Sequence, residues 1–123
     1  MKGKLFLIHW NPLEAQEYAI PLRADGWLVD VESKDGARAG KKILTEQPDA
    51  VVIYLSRLPS HGCVTARGVR LYQSGRHIPI IFVDGKEEAI QNTKSKVPDS
   101  VFTTNEELHK LLDDFMKPGR DEK

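Results

Sequence analysis

Short apolar runs rich in β-branched residues punctuate the chain at residues 5–8, 27–31, 50–55, 78–83 and 100–103. The central ones, Val51-Val52-Ile53 and Ile80-Ile81-Phe82-Val83, do not alternate with polar residues. Unbroken hydrophobicity over so few residues predicts strands covered on both faces, as in a parallel sheet enclosed by helices.

The stretches between the runs carry helical spacing. The first opens on Asn11-Pro12-Leu13-Glu14, a cap candidate, a proline at the first helical position and a glutamate three residues after the cap. Ala15, Tyr18, Ala19 and Leu22 follow at i, i+3, i+4 and i+7. Pro21 should kink this helix or shorten its last turn, and Asp25-Gly26 should stop it. The second helix begins near Asp35-Gly36, turns Gly40, Ile43 and Leu44 inward, and ends before Pro48. The third follows Pro59-Ser60-His61-Gly62 and runs to Ser74-Gly75, with Val69 and Tyr72 on one face. The fourth covers residues 86–96, with a thin stripe of Ala89, Ile90, Thr93 and Val97. The last has the clearest signal: Thr104-x-x-Glu107 is a capping box, and Leu108, Leu111, Leu112 and Phe115 recur at helical spacing. Lys117-Pro118-Gly119 should stop it, which leaves one domain over 1–117 and a frayed tail over 118–123.

Strand and helix thus alternate five times without a linker or repeat. Such alternation implies right-handed crossovers and a three-layer α/β/α sandwich. The expected architecture is flavodoxin-like, a five-stranded parallel sheet in order 2-1-3-4-5. Its functional crevice lies outside the carboxyl ends of strands one and three. That rule singles out His9-Trp10-Asn11, the loop over 54–62, and Asp84-Gly85.

Composition narrows the setting. The chain has 123 residues, enough for one domain with its own core. Its 18 basic and 18 acidic residues cancel, so no global charge draws it to nucleic acid or to an anionic membrane. The single cysteine, Cys63, cannot form an internal disulfide, which points to a reducing compartment. The first apolar run is too short for a signal-peptide core or a membrane span. The expectation is a soluble, cytoplasmic protein with no membrane contact and no nucleic-acid partner.

Placed on this fold, the chain resembles the CheY-like receiver domain of bacterial two-component response regulators, from Lys4 to about Met116. The resemblance rests on Lys4-Leu5-Phe6-Leu7-Ile8 followed by a three-residue site and Pro12, and on Pro48-Asp49 before strand three. It rests also on Leu58-Pro59-Ser60-His61-Gly62 after that strand, His77-Ile78-Pro79-Ile80-Ile81 entering strand four, and Glu106-Glu107-Leu108 opening the last helix. By resemblance, a working receiver needs two acids after strand one for magnesium, whose hard charge suits carboxylate oxygens. It needs an aspartate ending strand three as the phosphoryl acceptor. A Ser or Thr ending strand four and a lysine ending strand five complete the set.

Every one of these positions departs. His9 and Trp10 stand where the acidic pair belongs, with Asn11 beside them. Tyr54 stands at the phospho-acceptor, although the spacing to Pro59 also allows Leu55. Asp84 stands near the Ser/Thr position, where its charge would repel a phosphoryl group. Thr103-Thr104 replaces the end of strand five, with no lysine. The resemblance therefore implies a degenerate, stand-alone pseudo-receiver, not phosphorylated on aspartate, with no metal, no cofactor and no catalytic residue.

The individual side chains carry plain expectations. His9 reads as a hydrogen-bonded loop residue rather than a metal ligand. Trp10 should plug the vacated space, its indole N–H reaching a carbonyl. Asp84 should meet His9 in a salt bridge that closes the old site. Arg57, His61, Arg67, Arg70 and Arg76 gather around the third loop and helix, as a solvated basic face or as contacts to an anion or partner. An enzyme would need a nucleophile with an oriented base, and no such set assembles. The expected role is a protein–protein interaction module in bacterial signalling. By the resemblance, association with a protein partner or a second copy would run through the helix 4–strand 5–helix 5 face, residues 89–97 and 102–115. The alternative is a small-ligand or anion-binding domain that uses the crevice at the ends of strands 1 and 3.

Overall fold

The computed structural model describes residues 2–56 and 59–115. Strand β1 is Gly3–Ile8, β2 Trp27–Glu32, β3 Ala50–Tyr54, β4 Ile80–Val83 and β5 Val101–Thr103. Between and after them lie α1 (Pro12–Ala24), α2 (Gly36–Glu46), α3 (Pro59–Arg70), α4 (Glu87–Lys96) and α5 (Asn105–Phe115). All strands pair in parallel, in order β2-β1-β3-β4-β5.

Alternate residues of each buried strand feed two cores, as a period of two requires. Leu5, Leu7, Val52, Tyr54 and Val83 join Ala15, Ala19 and Leu22 of α1 and Leu108 and Leu112 of α5. Phe6, Ile8, Val51, Ile53 and Phe82 join Ala39 and Ile43 of α2 and Cys63, Ala66 and Val69 of α3. Cys63 is buried in that second core.

Local chemistry sets the element ends. Asn11 accepts the Glu14 N–H at 3.1 Å and Asp35 accepts that of Arg38 at 3.0 Å, one cap for each of the first two helices. Pro21 sits in the last turn of α1, which ends at Ala24. Gln47 adopts φ 53 to end α2 ahead of Pro48. Pro79 has no N–H to give a ladder, so β4 starts at Ile80, two residues into its apolar run.

The third helix is shorter than its expected span. It ends at Arg70, and a 3-10 turn over Gln73–Gly75 follows. Val69 is buried, but Tyr72 is 59% exposed rather than sharing its face. The chain doubles back there because Arg70 donates to the carbonyls of Gly75 at 2.7 Å and Ile78 at 2.8 Å. Arg57, the Lys117-Pro118-Gly119 stop and the tail over 118–123 lie outside the described residues.

Candidate functional site

The three residues after β1 diverge, each for its own reason. His9 continues the ladder through its N–H to the Glu32 carbonyl and is fully buried. Its Nδ1 accepts the Asn11 N–H at 3.2 Å, which assigns the ring proton to Nε2. Nε2 lies 3.1 Å from Glu14 Oε1. The capping box at this helix is thus half rewired: Asn11 caps Glu14, while the glutamate turns to His9 rather than back to the Asn11 N–H.

The His9 ring stacks on Tyr18 at 5.4 Å and on Tyr54 at 5.1 Å, and the two tyrosines stack on each other at 4.5 Å. The Tyr54 hydroxyl donates to Asn105 Oδ1 at 2.9 Å, and the Asn105 N–H donates to Asp84 Oδ1 at 3.0 Å. One aromatic block and a short relay therefore tie β1, α1, β3, the β4 turn and α5 together over the sheet's carboxyl edge. Burial first, then the charges of Tyr18 and Asp84, push the Tyr54 phenol far above its ordinary pKa. The hydroxyl is a neutral donor at any physiological pH.

Leu55 points to the opposite layer. A Cβ on Gly85 would come within 2.7 Å of the Leu55 Cβ, so the β4 turn closes on that side chain. Tyr54 and Leu55 are both buried, in different cores, and neither has a carboxylate.

Asp84 and His9 do not form the expected ion pair. Asp84 adopts φ 60 and Gly85 φ 104, which turns the Asp84 carboxylate onto the start of α5. Glu14 takes its place beside His9. Trp10 turns away from both, toward α2 and α3, with its ring 5.8 Å from that of His61. Its Nε1 is buried and has no hydrogen-bond partner among the described residues, so the expected indole-to-carbonyl bond is not made. Thr103 gives its carbonyl to the Asp84 N–H at 2.9 Å, and the Thr104 hydroxyl accepts the Glu107 N–H at 3.3 Å.

The basic residues of α3 do not converge on one point. Arg70 is held by Asp99 at 3.1 Å and by the two carbonyls of the 3-10 turn, a structural clamp rather than an open anion contact. Arg67 faces α4 and His61 faces Trp10. Sequence reading missed three members of the site. Glu14 was legible only as a cap residue, Tyr18 only as a core position, and Asn105 was hidden by the capping threonine before it.

A magnesium ion of the receiver kind does not fit these residues. The end of β1 offers an imidazole, an indole and an amide, while Glu14 and Asp84 are engaged by His9 and by the Asn105 N–H. Among the described residues no three His, Cys, Asp or Glu side chains gather as a metal site. No described helix is long and apolar enough to cross a membrane.

No protein-family profile matches the chain, and no curated protein matches it. Solved structures do. A putative response regulator from Chloroflexus aurantiacus aligns with a TM-score of 0.78 at 17% identity, over 94% of this chain and 98% of that one. A Vibrio cholerae chemotaxis protein aligns with a TM-score of 0.76 at 16% identity, over 94% and 99%. The receiver domain of a Pseudomonas aeruginosa sensor histidine kinase, which coordinates magnesium in its active-site cleft, aligns with a TM-score of 0.73 at 22% identity, over 94% and 98%. The fold is that of response-regulator receiver domains.

Proposed function

We propose that this chain is a regulatory receiver-fold protein that takes up no phosphoryl group and acts by contact with other proteins. One observation carries the reading. The corner where a receiver keeps its acids and acceptor is filled by the His9–Tyr18–Tyr54 stack and locked to Asn105 and Asp84. Metal, nucleophile and charge compensation are replaced together, so no single substitution would restore the chemistry. The protein is read as a non-enzyme of bacterial signalling, working in the cytoplasm.

The resemblance offers the face of α4, β5 and α5 for association. Val101 is 37% exposed there, and the Lys94 ammonium sits 5.4 Å from the centroid of the Phe102 ring. Incubation with acetyl phosphate and magnesium, followed by intact-mass measurement, tests the first half of the reading. An unchanged mass is expected, and a base-labile phosphate adduct would overturn it. Sedimentation of Lys86→Glu and Glu106→Lys variants tests the face. Self-association or partner binding that both changes leave untouched removes that surface from the proposal.

A further inference from the structure

Glycines Gly40 and Gly68 lie inside α2 and α3, and a Cβ at either would meet nothing within 4 Å among the described residues. Glycine is the poorest helix former after proline, because it surrenders the most backbone freedom on folding. Neighbouring glycines have an internal reason. A Cβ at Gly36 would lie 2.7 Å from the Thr65 hydroxyl, and one at Gly62 would lie 2.6 Å from the Ile53 side chain. The fold gives no such reason at Gly40 and Gly68.

Both line one hollow of about 770 Å³ between α2 and α3. Leu44, Val64 and Tyr72 flank it, with Val64 68% and Tyr72 59% exposed. At 1.5 Å per residue its walls run about 12 Å along residues 36–44 of α2 and about 12 Å along residues 60–68 of α3. That shape is a trough two to three helical turns long with a bare floor, which lets another backbone approach closely.

Charge selects the occupant. No carboxylate lines the trough, and Lys41 stands on its edge. On the far slope of α3, Arg67, Lys86 and Lys96 surround a second hollow in which Glu88 is the acid. None of these four cations makes an ion pair among the described residues. In a chain of zero net charge this ridge is locally positive, with exposed apolar side chains at its crest. An apolar centre with a charged rim is the anatomy of a protein interface.

We infer that the α2–α3 groove docks an amphipathic helix of a partner protein, with acidic residues beside its apolar stripe. The inference rests on the interaction-module reading but centres the contact between α2 and α3 rather than on the α4–β5–α5 face. The test selects, against the whole chain, from a displayed library of helical peptides with leucines fixed at i, i+4 and i+7 and random flanks. Enriched peptides should be rich in Asp and Glu and should protect the amides of residues 36–44 and 60–72 from exchange. Gly40→Ala and Gly68→Ala should each raise the melting temperature by a few degrees, because an unstrained Cβ favours a helix. Each should also weaken the selected peptide at least tenfold, a pairing of effects that a merely structural role would not produce. Lys41→Glu should weaken it at least fivefold without moving the melting temperature.

Equal binding by the alanine variants, or no enrichment of acidic flanks, overturns the inference. Self-association that Gly68→Ala abolishes would also overturn it, by making a second copy the occupant. Protection of α4, β5 and α5 instead would remove this groove and leave the interaction-module reading standing. A phosphate adduct in the mass measurement strikes that reading alone.

Discussion

Asp84 accepts the Asn105 N–H at 3.0 Å, so the turn after β4 caps α5, and it does so from a backbone at φ 60. A left-handed conformation suits Asn, Asp and Gly and strains β-branched residues. Restoring the threonine of a working receiver should therefore harm this protein. Asp84→Thr is expected to cost about 2 kcal/mol, from backbone strain and the lost cap together. Asp84→Asn keeps both the conformation and an acceptor and should stay within about 0.5 kcal/mol of the parent. Urea unfolding of the two variants measures the difference, and equal midpoints would refute the capping role.

Tyr54 sets an alkaline limit. Burial and the neighbouring charges hold its folded pKa above the unfolded value. A raised pKa means that the unfolded chain releases its proton first. Its contribution is fully present below about pH 10 and drains away as pH climbs above that. Tyr54→Phe loses the bond to Asn105 and should cost about 1 kcal/mol at neutral pH. Its disadvantage should shrink between about pH 10 and 11, as the wild type alone pays for keeping a buried phenol neutral. Melting curves across that range decide the point; a constant gap would mean that Tyr54 does not titrate on unfolding.

Most of the fold was legible because its signals are local. Apolar runs, the Asn11 and Asp35 caps and the Thr104 box sit within a few residues of what they determine. The site was legible only by position. That His9, Tyr54 and Asp84 meet at one sheet edge follows from the strand order. Their bonding does not, because it depends on direction. His9 found Glu14 because α1 brings its first turn back over the strand end, and Asp84 found α5 because its φ is positive. Tyr72 was misplaced for a related reason. Its helical spacing from Val69 continues past the point where Arg70 pins the chain into a turn.

Glu32 supplies an acid-sensitive lock near the same edge. Burial works against its charge, but hydrogen bonds from Arg38 and from the Lys34 and Asp35 N–H groups outweigh that and hold the carboxyl below its ordinary pKa. A lowered pKa means stability that is present above about pH 4.5 and lost as pH falls through the folded value. Glu32→Gln should cost about 1–2 kcal/mol at pH 7, the Arg38 side of the pair being largely solvent-screened. The wild type and the variant should converge near pH 3. Divergence on acidification would reverse the assigned sign.

Magnesium should leave the protein indifferent. A ligand that binds only the folded state raises the melting temperature through mass action. With Glu14 and Asp84 both engaged, millimolar magnesium should produce no shift beyond that of an equal ionic strength of sodium. A dose-dependent, saturating rise would show carboxylates free to ligate.

His9 separates the packing of the corner from its polar links. His9→Ala removes a fully buried ring packed against the Tyr18–Tyr54 pair and should cost about 3–4 kcal/mol, as large-to-small core changes do. His9→Phe keeps an aromatic face for the stack but strips the acceptor from the Asn11 N–H and the nitrogen that lies 3.1 Å from Glu14 Oε1. That change should cost about 1–2 kcal/mol, because the Asn11 N–H loses its buried acceptor. Glu14→Gln, whose carboxylate is partly exposed, should cost less than either. The order His9→Ala, His9→Phe, Glu14→Gln in falling severity is what stacking predicts. If His9→Phe proved as damaging as His9→Ala, the hydrogen bonds rather than the rings would hold the strand ends together. Near-ultraviolet circular dichroism adds a second readout. The Tyr18–Tyr54 signal should survive in His9→Phe and collapse in His9→Ala, because a ring at position 9 keeps the two tyrosines in register.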